Sequence, residues 1–76
     1  MTEVTNKVVK ILVENFGLNE LDVKENKNLE TLGVDSIIMI EIQLDLEREF
    51  VVKISDGDIL PSFTVKDISE YIQNKV

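Results

Sequence analysis

Seventy-six residues match the size of one domain, since single domains commonly run from about 50 to 250 residues, and 1–76 reads as one unit. A chain this short buries only about 60% of its unfolded surface, which leaves little room for a deep enclosed active site. Cysteine and histidine are both absent, which excludes disulfides, thiolate chemistry and the usual neutral-pH base and metal ligand, while a net charge of −7 repels phosphate backbones, excludes nucleic acid as a natural partner and favours basic protein surfaces.

No apolar run approaches the roughly 18 residues of a membrane span. The opening MTEVTNK lacks the basic and then apolar regions of a signal peptide. The expectation is a soluble, monomeric, cytoplasmic protein with no membrane partner.

The first periodic stretch follows Thr2. Val4, Val8, Ile11 and Leu12 fall at i, i+4, i+7 and i+8, one face of an amphipathic helix. Gly17, after Phe16, marks its stop. Residues 17–35, GLNELDVKENKNLETLGVD, hold no sustained helical period. Leu18, Leu21, Val23, Leu29 and Leu32 are spread through them, more apolar side chains than a free linker needs. A long loop held onto the core is expected, and loops of this length are often functional.

The second helix is expected from Ser36 to Phe50. Asp35 supplies a carboxylate for the free amides of its first turn and suits its positive end. At about 100° per residue, Met39, Ile42, Leu46 and Phe50 share an arc of roughly 80° that should meet the core. Ile37, Ile40 and Leu44 fall on another side near Ser36 and Glu47, with Glu41 and Arg48 beside them. Two readings stand here: a core wide enough to bury them, or an exposed stripe inside an acidic rim, the usual build of a docking surface. Between Asp35 and Asp58 seven acids face only Arg48 and Lys53, which concentrates −5 of the total −7 in less than a third of the chain. That concentration favours the docking stripe.

SDGDIL suggests one further helical turn after Ser55, Pro61 breaks no long helix there, and a last helix opens near Thr64 with Asp67 three residues on as a capping box. Val65, Ile68 and Ile72 form its stripe. Val51, Val52 and Ile54 have no partner strand. The fold expected is all-α: a small four-helix bundle of three main helices and one short helix, with a long loop between the first two.

Ser36 has three readings: a cap, a nucleophile, or a hydroxyl offered for modification. A nucleophilic serine needs an adjacent base, and without histidine, and with no lysine placed beside Ser36, self-contained catalysis is not expected. Asp35 already has the stronger claim to the cap.

At this point the segment LGVDSIIMIEIQLDLEREF resembles the acyl carrier protein signature, in which Leu and Gly lead into Asp-Ser and an acidic amphipathic helix; the likeness extends over the whole chain to FTVKDISEYI. The resemblance implies a non-catalytic carrier whose serine, Ser36, is esterified by 4′-phosphopantetheine, with Gly33 and Asp35 as the motif's glycine and aspartate. The terminal thiol of that arm would hold acyl groups as thioesters, which accounts for a chain without Cys or His, since the cofactor carries the chemistry and the protein supplies presentation. Asp35 would then stand near the transferase's magnesium during attachment, the carrier itself holding no metal. The implied partners are a phosphopantetheinyl transferase, an acyltransferase or acyl-activating enzyme, and ketosynthase-type enzymes with basic docking patches. Ile37, Ile38, Ile40, Glu41, Leu44, Glu47 and Arg48 are the residues expected to meet them.

Two positions depart from the pattern of general fatty acid carriers, which often place acids where this chain has Ile38 and Arg48. The expected pathway is polyketide or other specialised biosynthesis, with fatty acid synthesis kept beside it. A peptidyl or aminoacyl carrier is the near alternative, although that group often has a second glycine or a histidine before the serine, where this chain has Val34 and Asp35. The alternative from another class is a small acidic interaction module without a cofactor.

Overall fold

Residues 3–76 are described by the computed structural model; Met1 and Thr2 lie outside the described residues. Helix α1 spans Glu3–Lys10 and widens into a π-helical turn over Ile11–Asn15. Val8 and Leu12 are fully buried, as their spacing requires. Gly17 ends the turn, and the amides of Gly17 and Leu18 donate back to the carbonyls of Val13 and Leu12 at 3.1 Å each.

Helix α3, Ser36–Phe50, occupies the span its periodicity indicated. Ile42 and Leu46 are fully buried and Met39 nearly so, while Phe50 packs half-buried at the edge of the core. Helix α4, Val65–Lys75, opens on the expected box. The Asp67 amide donates to Thr64 Oγ1 at 3.2 Å, and the Thr64 amide donates to Asp67 Oδ2 at 3.0 Å. These bonds satisfy two of the amides that every helix leaves free at its start. Ile68 and Ile72 are fully buried, and α4 packs along α1. Together the helices form the small all-α bundle expected. Among the described residues there is no strand, and no helix is long and apolar enough to cross a membrane.

The short helix is not where the sequence suggested. It is α2, Glu20–Lys24, inside the long connection. Asn19 Oδ1 caps it by accepting from the Asp22 amide at 3.0 Å. The SDGDIL segment instead forms turns, with the Asp58 amide donating to the Ser55 carbonyl at 3.0 Å. Gly57 adopts φ +85, outside the right-handed helical region, and interrupts the segment. Just beyond it, the carbonyls of Pro61 and Phe63 accept from the amides of Glu30 and Leu29, both at 2.9 Å, and tie the chain there to the long connection.

Those two bonds pin the connection to the core, and Val23, Leu29 and Val34 are buried beneath it. Leu18 and Leu32 are partly buried against the same cluster. Leu21 is the exception among the five apolar residues expected to hold this segment down: α2 turns it outward, and it is 71% exposed.

Beyond α3, Val51 takes φ +53 and ψ +50, the left-handed conformation, with its side chain in solvent. A β-branched residue is strained there by roughly 1–2 kcal/mol, and no burial offsets it. Val51→Gly should therefore raise stability by about 1 kcal/mol once the greater flexibility of unfolded glycine is subtracted; chemical denaturation of both chains measures the difference.

Tyr71 on α4 donates its hydroxyl to Asp58 Oδ2 at 2.6 Å and ties the helix to the 55–61 turns. Burial, then this hydrogen bond, raises the phenol above its ordinary value, against the opposing effect of Lys75. A raised folded value means the bond's contribution is intact below the unfolded phenol value of about 10 and is lost as the pH climbs through the folded one. Thermal melts should thus fall steeply above about pH 10, and Tyr71→Phe should start lower and show a shallower decline.

Candidate functional site

The chain's approach to α3 is fixed residue by residue. Leu29 is locked by its bond to Phe63, and the Val34 amide donates to the Leu29 carbonyl at 3.1 Å, with Val34 buried. Between them Gly33 turns the backbone at φ +86, and its amide donates to the Glu30 carbonyl at 3.1 Å. A Cβ on Gly33 would meet nothing within 4 Å. The requirement for glycine is therefore the backbone angle and not the space.

Asp35 follows in extended conformation, and its Oδ1 accepts from the Ile38 amide at 2.8 Å. The first helical bond runs from the Met39 amide to the Asp35 carbonyl at 2.9 Å. The cap is thus Asp35, and Ser36 is not needed for it. Ser36 is exposed at the first position of α3, and no residue among those described bonds its hydroxyl. That oxygen is open to a modifying enzyme.

Along the same helix Ile37, Ile40 and Leu44 are 67%, 57% and 49% exposed. They form a stripe facing solvent, so the wide-core reading fails for them. Glu41 is exposed and Glu47 half-exposed on the flanks of that stripe. Ile38 is turned away, half-buried against the core. Arg48 is exposed but not free: its Nη2 bonds Asp45 Oδ1 at 2.9 Å. Asn15 Nδ2 donates to the other Asp45 oxygen at 3.2 Å, joining the end of the π-helical turn to α3.

A groove of about 360 Å³ opens beside Ser36, lined by Ser36, Met39, Ile40 and Gln43 from α3 and by Asp56, Gly57, Ile59 and Pro61 from the turns before α4. The sequence reading missed Gln43 and the far wall. Ser36, Met39, Ile40 and Gln43 lie at i, i+3, i+4 and i+7, so helical spacing alone put Gln43 on the serine's side. The far wall had no comparable signal, because it comes from a segment that forms no regular structure.

No group of three or more His, Cys, Asp or Glu side chains among the described residues is arranged to hold a metal. The exposed Ser36 hydroxyl is an oxygen nucleophile that an external enzyme can reach. An exposed, unbonded hydroxyl next to a long groove suits a covalently attached arm.

Comparison with known proteins agrees with that geometry. Residues 6–72 match the family model described as a phosphopantetheine attachment site. The chain is also similar to a protein of Thermotoga maritima named acyl carrier protein, with 39% identity over 75 residues covering 97% of this chain and 93% of that one.

Proposed function

The chain belongs to the acyl carrier protein family, whose members bear a covalent 4′-phosphopantetheine and serve biosynthetic enzymes, and given that membership we propose that Ser36 is the attachment residue of a non-catalytic carrier spanning 1–76. The observation that carries this reading is the free, exposed Ser36 hydroxyl at the start of α3, with its neighbour Asp35 already committed to the cap. When bound, the arm supplies a terminal thiol that holds acyl groups as thioesters. The protein's own residues do the rest. Gly33 and Val34 fix the turn, Asp35 holds the first helical turn in register, and Ser36 keeps its oxygen in solvent.

Partners are read as the phosphopantetheinyl transferase, an acyltransferase or acyl-activating enzyme, and ketosynthase-type enzymes. The apolar stripe of Ile37, Ile40 and Leu44 between Glu41 and Glu47 fits a complementary patch of apolar and basic residues. The net charge of −7 on the chain sets copies against one another and fits a monomer, read here as cytoplasmic.

Within the family we read the pathway as polyketide or other specialised biosynthesis, supported by an apolar Ile38 and a cationic Arg48 in a stretch otherwise rich in acids. The second reading, fatty acid synthesis, is favoured by the half-burial of Ile38, which gives that side chain a packing role independent of any partner.

Incubation with a phosphopantetheinyl transferase, coenzyme A and magnesium should add one phosphopantetheine per chain by intact mass, and Ser36→Ala should add none. No gain with several transferases of different specificity would favour a plain interaction module. For the docking face, the double change Glu41→Lys with Glu47→Lys should slow loading by about tenfold or more at low salt, an effect that shrinks as salt screens both charges. Equal rates for parent and variant in dilute buffer would remove the face from the interface.

A further inference from the structure

The SDGDIL segment holds a group of atoms that carrier chemistry does not use. Its turn is closed by the bond from the Asp58 amide to the Ser55 carbonyl at 3.0 Å, with Asp56 and Gly57 between them. Gly57 stands at φ +85, the positive angle that a type II turn sets at its third position. Both Asp56 and Gly57 are exposed. Among the described residues nothing accepts from the Gly57 amide, nothing donates to the Asp56 carbonyl, and the Asp56 carboxylate has no partner. The peptide plane between the two can therefore swing without breaking a bond inside the protein, and a Cβ on Gly57 would meet nothing within 4 Å. Every other aspartate and asparagine among the described residues is held. Asp35 and Asp58 accept from Ile38 and Tyr71, and Asn26 and Asn28 accept from the amides of Lys66 and Thr31. The rest lie in helical turns or cap them.

We propose that Asp56-Gly57 is a site of spontaneous backbone rearrangement, in which a succinimide forms and opens to isoaspartate at the rim of the groove beside Ser36. The Gly57 nitrogen attacks Cγ of the protonated Asp56 carboxyl. An N–C bond forms, a C–O bond breaks, and the hydroxyl leaves with the amide proton as water. A hydrogen in place of the Gly57 side chain keeps the attacking nitrogen uncrowded. Water then adds to either ring carbonyl. Cleavage between the nitrogen and Cγ returns aspartate. Cleavage between the nitrogen and the main-chain carbonyl carbon leaves the chain running through Cβ and Cγ, with a free carboxylate on Cα. Nothing is oxidised or reduced, and water is the only reagent. Asp56 and Gly57 both line the groove across from α3. The product thus lengthens that wall by a methylene and draws the carboxylate in towards the main chain, at unchanged charge. The rearrangement asks nothing of Ser36 and stands apart from the carrier reading. The carboxylate it frees is the group that isoaspartate methyltransferases accept as substrate, with S-adenosylmethionine as methyl donor.

The test ages the full chain in warm neutral buffer made with heavy-oxygen water, beside Asp56→Glu. That variant keeps the charge, has no side-chain partner to lose, and would have to close a larger and far slower ring. In the parent chain a species lighter by one water should appear first and map to the peptide holding residues 56 and 57. An isomer carrying heavy oxygen should follow at that position and accept methyl groups from S-adenosylmethionine through an isoaspartate methyltransferase. Asp56→Glu should lose this methyl acceptance. A chain kept unfolded in urea gives the reference rate, and the folded chain should come within about tenfold of it, since opening an exposed loop costs little free energy. Methyl acceptance no greater than that of Asp56→Glu, isoaspartate confined to another position, or a folded chain slower than that bound would each overturn the inference. Loading at Ser36 is scored separately: a chain that ages in this way and that no transferase loads would sink the carrier reading alone.

Discussion

Two backbone hydrogen bonds, Leu29 to Phe63 and Glu30 to Pro61, govern the arrangement of everything near Ser36. They join the middle of the long connection to the segment just before α4, and between them they fix both walls of the site. On one side Leu29, fully buried, anchors the turn through Gly33 and Val34 that delivers Asp35 and Ser36. On the other, the carbonyls of Pro61 and Phe63 are held against the connection, and Asp56, Gly57, Ile59 and Pro61 form the rim of the groove. Backbone groups that find no partner within their own element must find one elsewhere, and here that need couples two irregular segments, more than 30 residues apart in the chain, into one support.

Upon that support α3 has two distinct sides. Ile42 and Leu46 are sealed in the core, where full burial of such a side chain contributes about 1.5–3 kcal/mol, and they hold the helix in one rotation about its axis. That rotation leaves Ile37, Ile40 and Leu44 facing water and Gln43 facing the groove. A helix held by fewer core contacts could roll and hide its stripe. The exposed apolar area is therefore a consequence of where the buried residues are, and a partner finds the stripe already aligned with Ser36.

Much of this was legible from the residues alone. The bounds of α3, the Asp35 cap and the Thr64–Asp67 box follow from local spacing and side-chain chemistry, which tertiary packing had no reason to override. The signature around Asp35-Ser36 carried the family. What could not be read was where the backbone leaves the right-handed helical region and which distant groups it pairs with. SDGDIL reads as a helical turn in a local window, which shows neither the positive φ of Gly57 nor the bonds that tie Pro61 and Phe63 to the long connection. Helix α2 was hidden because its cap, Asn19, sits among other asparagines and charges that read as loop. Leu21 looked like an anchor, yet in five residues of helix only one face meets the core, and Val23 takes it.

The bond network also changes what the acidity of this region means. Of the seven carboxylates between Asp35 and Asp58, Asp35 is occupied by the Ile38 amide, Asp45 by Arg48 and Asn15, and Asp58 by Tyr71. Glu41, Glu47, Glu49 and Asp56 have no such engagement among the described residues. Hydrogen bonds from a neutral amide or phenol leave the charge of Asp35 and Asp58 in place, and only Asp45 is paired with a cation. The engaged carboxylates thus add to the negative potential of the surface, while direct ion pairs to an arriving basic side chain fall to Glu41, Glu47, Glu49 and Asp56, whose reach is shortened as ionic strength rises.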